Sequence, residues 1–267
     1  MQHEEPLAGG NATTGVVRVG DTVRKPWEAS TPSVHAFMAA VRAAGAPVPA
    51  VLPRDAQGRQ VLEFVPGVLA KDAPPLDLDG LRRVGGIVRA IHDASAGFEP
   101  APDARWSRAI PSPADELVCH NDLAPWNLVL GERWVFIDWD AAAPSTRLWD
   151  LAYAAQAFAL NEVERHAADA AARLAAFVDG YGADAGLRSA LPEALAARAS
   201  AMLELLESGH RDGVEPWGSM YRDGHGAHWR AVTAYVREHR EVWAAAVRGS
   251  EPGLRARGGS ASRAESR

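Results

Sequence analysis

A chain of 267 residues with 47% hydrophobic and 23% charged residues can bury a sizeable core, which excludes a wholly disordered protein. Acids outnumber bases, for a formal net charge of -6, and this speaks against a nucleic-acid binder, because neutralising phosphates needs a concentrated basic surface. One cysteine, Cys119, excludes an intrachain disulfide and a thiolate metal cage and fits a reducing cytoplasm. No run approaches the ~18 apolar residues of a membrane helix, and Met1-Gln2-His3-Glu4-Glu5 has neither the basic nor the apolar part of a leader, so the expectation is a cytoplasmic, unanchored protein.

In chain order, residues 16–19 and 22–25 read as two short strands turned at Gly20-Asp21. Thr31-Pro32 has the look of an N-cap with proline at the first helical position, and Val34, Phe37, Met38 and Val41 supply one apolar face up to Gly45. Residues 51–53 and 60–65 flank a polar turn as two further strands, and Pro66-Gly67 then breaks the pattern. Beyond residues 71–77 the chain is dominated by helical periodicity: Leu81, Val84, Ile87, Val88 and Ile91 mark one buried face, and Trp229, Val232, Val236 and Trp243 another. Between them, residues 117–138 form a strand-rich island whose last part alternates around Gly131-Glu132-Arg133 as a hairpin. From Gly249 the Gly, Ser, Arg and Glu content leaves almost nothing to bury, and a disordered tail is expected. The division is thus residues 1–66, 67–248 and a tail, 249–267.

The island carries chemistry. His120-Asn121-Asp122-Leu123-Ala124-Pro125-Trp126-Asn127 is followed, eleven positions on, by Asp138 within Ile137-Asp138-Trp139-Asp140. Phosphoryl transfer needs such a set: one carboxylate to orient a hydroxyl and take its proton, and oxygen ligands to hold Mg²⁺ against nucleotide phosphates. One amide and one carboxylate suffice for an ion that keeps several waters. Cys119 reads as a small buried hydrophobe, and Trp126 and Trp139 as packing residues that shape the site.

This segment resembles the HxDxxxxN catalytic loop and following metal-binding Asp of the aminoglycoside phosphotransferase and choline kinase superfamily, itself similar to protein kinases. The resemblance covers roughly residues 9–250. It implies an α+β, bilobal protein-kinase-like fold: a β-rich nucleotide-binding lobe with one helix, then a larger, mainly helical catalytic lobe. It implies Asp122 as catalytic base, His120 as brace of the loop, and Asn127 and Asp138 as Mg²⁺ ligands. Thr146-Arg147-Leu148-Trp149-Asp150-Leu151-Ala152 resembles the next motif, whose Asp150 ties back to the catalytic loop.

On the nucleotide side, the glycine-rich run 9–15, with Gly10, stands where a phosphate-covering loop is expected. The strand period of two puts Val23 and Lys25 on one face, and the resemblance then gives Lys25, rather than Arg24, to the phosphates. The family pairs this lysine with a helix Glu, but residues 33–44 contain no acid; His35 and Glu28 are the substitutes within reach. By resemblance, the backbone of Glu63-Phe64-Val65 presents Glu63 and Val65 to the adenine.

Acceptor recognition is assigned to the C-terminal helices, where Glu204, Glu207, Asp212 and Glu215 face a single cation, Arg211, between residues 202 and 217. An acidic wall suits a cationic acceptor, whereas such a run is also an ordinary solvated helix face. His225 and His228, three apart, lack a third metal ligand nearby. The expected activity is a phosphotransferase moving the γ-phosphoryl group of ATP or GTP, with Mg²⁺, to a hydroxyl of a small molecule such as an aminoglycoside or other antibiotic. Alternatives are a choline, amino-alcohol or sugar kinase and a nucleotide-binding pseudokinase; no nucleic acid, membrane or obligatory protein partner is implied. The role of Asp140 stays open.

Overall fold

The computed structural model describes residues 3–7 and 15–248. The glycine-rich run with Gly10, at residues 9–14, and the tail from Gly249 lie outside them. A five-stranded antiparallel sheet comes first, in the order β1 (Glu5–Pro6), β2 (Val17–Val19), β3 (Thr22–Lys25), β5 (Gln60–Glu63) and β4 (Val51–Leu52). Gly20, at a φ of 60°, turns β2 into β3, and the Thr22 hydroxyl closes the turn on the Val19 carbonyl at 2.7 Å.

Helix α1 (Thr31–Ala43) buries Val34, Phe37, Met38 and Val41, the 3.6-period stripe of the sequence. Its start differs from the expected cap. Thr31 lies inside the first turn, where its hydroxyl accepts the Glu28 N–H at 2.9 Å, and Ser30 precedes the helix without a side-chain bond.

Past Pro66, β6 (Val68–Leu69) leaves the first sheet and pairs with β8 (Leu128–Leu130), which itself pairs with β9 (Val135–Phe136). The linker therefore crosses the hairpin of the island. Gly67 sits at a φ of 152°, and a methyl group there would overlap the Leu130 carbonyl oxygen. Gly67→Ala is expected to cost about 1–3 kcal/mol of stability, read as a lower urea midpoint at unchanged slope.

The remainder is mainly helical, giving the α+β class expected. Helix α2 (Leu78–Ser95), capped by Asp77 accepting from the Gly80 N–H at 2.8 Å, buries Leu81, Val84, Val88 and Ile91 against α4 (Ala167–Tyr181). Strand β7 (Leu117–Cys119) pairs with β10 (Ala143–Ser145), and α3 (Arg147–Ala155) follows, capped by the Thr146 hydroxyl. Helix α5 (Ala185–Asp212) is the long central element, touching α3, α6 (Trp217–Met220), α7 (Gly226–Glu238) and α8 (Arg240–Arg248). The apolar face of Trp229, Val232, Val236 and Trp243 is divided at His239 between α7 and α8. One apolar core runs from α1 to α8, with Trp139 meeting Phe37 of α1 edge-on at 5.8 Å. Among the described residues, no helix is long and apolar enough to cross a membrane.

Candidate active site

The island residues take their positions from two unusual backbone turns. Asn121 and Asp138 both lie in the left-handed region, at φ of 64° and 61°, which short polar side chains tolerate best. Asn121 is pinned there: its amide nitrogen donates to the carbonyls of Ala141 and Ala143, each at 3.2 Å, and its N–H donates to Asp150 at 2.9 Å. Asp150 is buried, and its second oxygen meets His92 Nε2 at 3.0 Å, while His92 Nδ1 meets the Tyr181 hydroxyl at 2.9 Å. His92, Cys119 and Asp150 approach one another closely enough to hold an ion, but hydrogen bonds already occupy both His92 nitrogens and both Asp150 oxygens. The cluster is a closed strut beneath the loop.

His120 is wholly buried against Trp139, ring centroids 4.6 Å apart. Its Nδ1 accepts the Asp122 N–H at 3.2 Å, so the neutral tautomer carries its proton on Nε2, which donates to the Ile137 carbonyl at 3.1 Å. Both ring nitrogens are thereby spent on joining the Asp122 loop to the strand that leads into Asp138.

Asp122 projects into a cavity of about 870 Å³ that it shares with Asn127, Asp138 and Asp140. One carboxylate oxygen accepts the Tyr153 hydroxyl at 2.8 Å and the other the Asn127 amide N–H at 2.7 Å. Burial pushes the Asp122 carboxyl above its ordinary value, against the downward pull of the nearby His120 ring and of these two bonds. Each oxygen keeps a lone pair for an incoming hydroxyl.

Lys25 is buried on β3, with its ammonium 2.6 Å from Asp138 Oδ1 and 2.5 Å from Asp140 Oδ2. Burial lowers its pKa, but the two carboxylates outweigh that and hold it above the ordinary lysine value. Among the described residues neither substitute for the missing helix acid pairs with it: its ion pairs are with Asp138 and Asp140, and His35 bonds Gln60 at 3.0 Å. A lysine 113 positions upstream meets its counter-charges through the tertiary fold instead. Arg24, one residue earlier, points to the opposite face and bonds Asp55 at 3.2 Å. Lys25→Ala is expected to raise the nucleotide Michaelis constant and lower turnover more than Arg24→Ala; the reverse order in steady-state kinetics would place the wrong face of β3 in the cleft.

The donor set fits a hard divalent cation. Asn127 spends its amide nitrogen on Asp122, leaving the amide oxygen, and Asp138 and Asp140 add carboxylate oxygens that are about one-third exposed, 36% and 37%. At the linker, the Glu63 N–H is taken by the Ala50 carbonyl at 2.9 Å, and its carboxylate is held by the Ala50 N–H and by Arg42 and Arg133. The Phe64 N–H goes to Asp21 at 2.9 Å, and the Val65 side chain is buried with Val129 and Val135.

On the acceptor side, none of Glu204, Glu207, Asp212 and Glu215 lines the cavity. Glu207 pairs with Arg230, Asp212 with Arg211 and Glu215 with Arg222 on the outer surface. The walls are aromatic, with Trp126, Trp149, Tyr153, Trp217 and Trp229, and His225 and His228 stand at the rim without forming a ligand set with a third group. Tyr153 and Arg198 escaped the sequence reading. Tyr153 lies three residues after Asp150 on α3, a spacing that puts both on one face and offered a signal; Arg198, in the middle of a long helix, offered none.

Residues 103–192 match the family described as "Phosphotransferase enzyme family". The trifolitoxin immunity protein of Rhizobium leguminosarum bv. trifolii is 30% identical over 151 residues, an alignment spanning 54% of this chain and 58% of that protein. Two solved structures share the fold. One is a choline/ethanolamine kinase family protein from Mesorhizobium loti, 17% identical, with a TM-score of 0.56 and 92% of each chain covered. The other is the amicoumacin kinase hAmiN in complex with AMP-PNP, Ca²⁺ and Ami, 12% identical, with a TM-score of 0.59 and 86% of each chain covered.

Proposed function

We propose that this chain, whose residues 103–192 match the phosphotransferase enzyme family and whose fold is shared with the choline/ethanolamine kinase family structure, is a small-molecule kinase of the aminoglycoside phosphotransferase and choline kinase superfamily that moves the γ-phosphoryl group of ATP or GTP to a hydroxyl. The observation that carries this reading is the Asp122 carboxylate, held by Tyr153 and Asn127 in the same cavity as Lys25's partners Asp138 and Asp140. Asp122 orients the acceptor hydroxyl and receives its proton. Asn127 and Asp138 hold Mg²⁺, which when bound draws charge from the phosphate oxygens. With Asp138 so engaged, the Lys25 ammonium lies beside the same carboxylates and faces the nucleotide phosphates. His120 and Asp150 keep the loop in register, and residues 63–65 lie beside the nucleotide base. Gly10 belongs to the covering loop in this reading.

Antibiotics are the first acceptors to test, as two relatives are named for amicoumacin and for immunity to trifolitoxin. Incubating the protein with ATP or GTP, Mg²⁺ and aminoglycosides, peptide antibiotics, macrolides and amino alcohols is expected to yield one product heavier by a phosphoryl group in mass spectrometry. Tight nucleotide binding without transfer to any acceptor would favour the pseudokinase.

A further inference from the structure

The acceptor wall holds a cation without a counter-ion. Arg198, on α5, is only 5% exposed, yet it forms no ion pair among the described residues. One terminal guanidinium nitrogen has no hydrogen-bond partner, and the other reaches only the Asn121 carbonyl, at 3.5 Å. Its guanidinium lies over the Tyr153 ring at 4.2 Å and faces Trp149 at 5.7 Å, and the charges of Asp122 and Asp150 bear on it without forming an ion pair. Burying a guanidinium with unmet donors is costly, and such a group is kept where a ligand completes it.

The position says which ligand. Arg198, Met202 and Leu205 share one face of α5 at helical spacing, and all three line the cavity that holds Asp122. Beyond Asp122, Asp138 and Asp140, the one acid on the walls among the described residues is Asp223. A polycation would therefore meet aromatic rings and a buried positive charge here. Resting on the kinase reading above, we propose that the acceptor is a hydroxyl compound with an apolar or aromatic body and a carboxylate, and that Arg198 is the specificity residue that binds this carboxylate while the hydroxyl faces Asp122. The guanidinium, where it borders the cavity, supplies a charge-assisted bond, and Trp149 and Trp229 bracket the apolar body.

The test uses three probes that differ in one group: 3-phenyllactate, its neutral amide, and 1-amino-3-phenylpropan-2-ol. Calorimetric titration of the full chain, saturated with AMP-PNP and Mg²⁺, is expected to show the carboxylate binding about tenfold or more tighter than the amine, with the amide between. Arg198→Gln should reduce that preference to about twofold or less, and Arg198→Lys, which keeps the charge but loses the planar fork stacked on Tyr153, should keep only part of it. Equal or tighter binding of the amine by the unmodified protein, or no binding of the carboxylate, overturns the proposal whatever the variants do. A separate titration with AMP-PNP and Mg²⁺ is expected to give the same affinity for Arg198→Gln and the parent. A loss there of about tenfold or more would assign the guanidinium to the transferred phosphoryl group and would also overturn it. Absence of phosphorylated product alongside an intact carboxylate preference would count against the kinase reading alone.

Discussion

Asp122→Asn is expected to fold and to bind nucleotide with Mg²⁺ nearly as the parent does, yet to transfer phosphate about 10²–10⁴-fold more slowly. The amide nearly matches the carboxylate in shape, so the Tyr153 hydroxyl can still bond its oxygen. Turned the other way, the new amide accepts the Asn127 N–H and donates to the Tyr153 oxygen, so the ring of three polar groups re-pairs at small cost. What disappears is the charged oxygen that orients the hydroxyl and takes its proton. Positioning and phosphate electrostatics remain, so a residual rate should persist. Single-turnover kinetics, run beside circular dichroism and nucleotide titration, distinguish this from a folding defect. A variant that folds, binds and transfers at the parental rate would remove Asp122 from the role of base.

Asp138→Ala should go further and abolish both transfer and the Mg²⁺ dependence of nucleotide binding. It deletes a carboxylate from a small oxygen donor set and at once strips Lys25 of one of its two partners. Lys25 is buried, and Asp140 alone must then offset its desolvation. Two readouts separate these effects. The affinity for AMP-PNP should lose its response to added Mg²⁺, and stability in denaturant should fall, because a buried ammonium is left half-paired. Affinity that still rises with Mg²⁺ in this variant would leave Asp140 and Asn127 as the cation's holders and take Asp138 out of that role.

Much of the fold was legible because it is local. The Gly20-Asp21 turn, the α1 stripe of Val34, Phe37, Met38 and Val41, and the α2 stripe of Leu81, Val84, Val88 and Ile91 need only neighbours within a turn or two of chain. Boundaries were less so: Thr31 was expected to cap α1 but bonds Glu28 within its first turn, and one expected face is split at His239 into α7 and α8.

For the candidate site, residue order alone was enough to read the composition of the loop from His120 to Asn127 and its nearness to Asp138, since a hairpin of a few residues must return on itself. It also determined that Lys25 and Arg24 face opposite ways, because a strand alternates. Only the tertiary structure decided which charges meet. Lys25 has no acid in α1 and finds Asp138 and Asp140 because β3 packs over the island, a contact across 113 residues that no local period encodes. The four acids between residues 202 and 217 share a segment with cavity residues, but Glu204 and Glu207 lie on the other face of α5, Asp212 and Glu215 lie at and beyond its end, and none lines the cavity. Arg198 lies on the inner face of that same helix, and what it meets there is set by how α3 and α5 cross, a matter of packing between distant elements rather than of any run of residues.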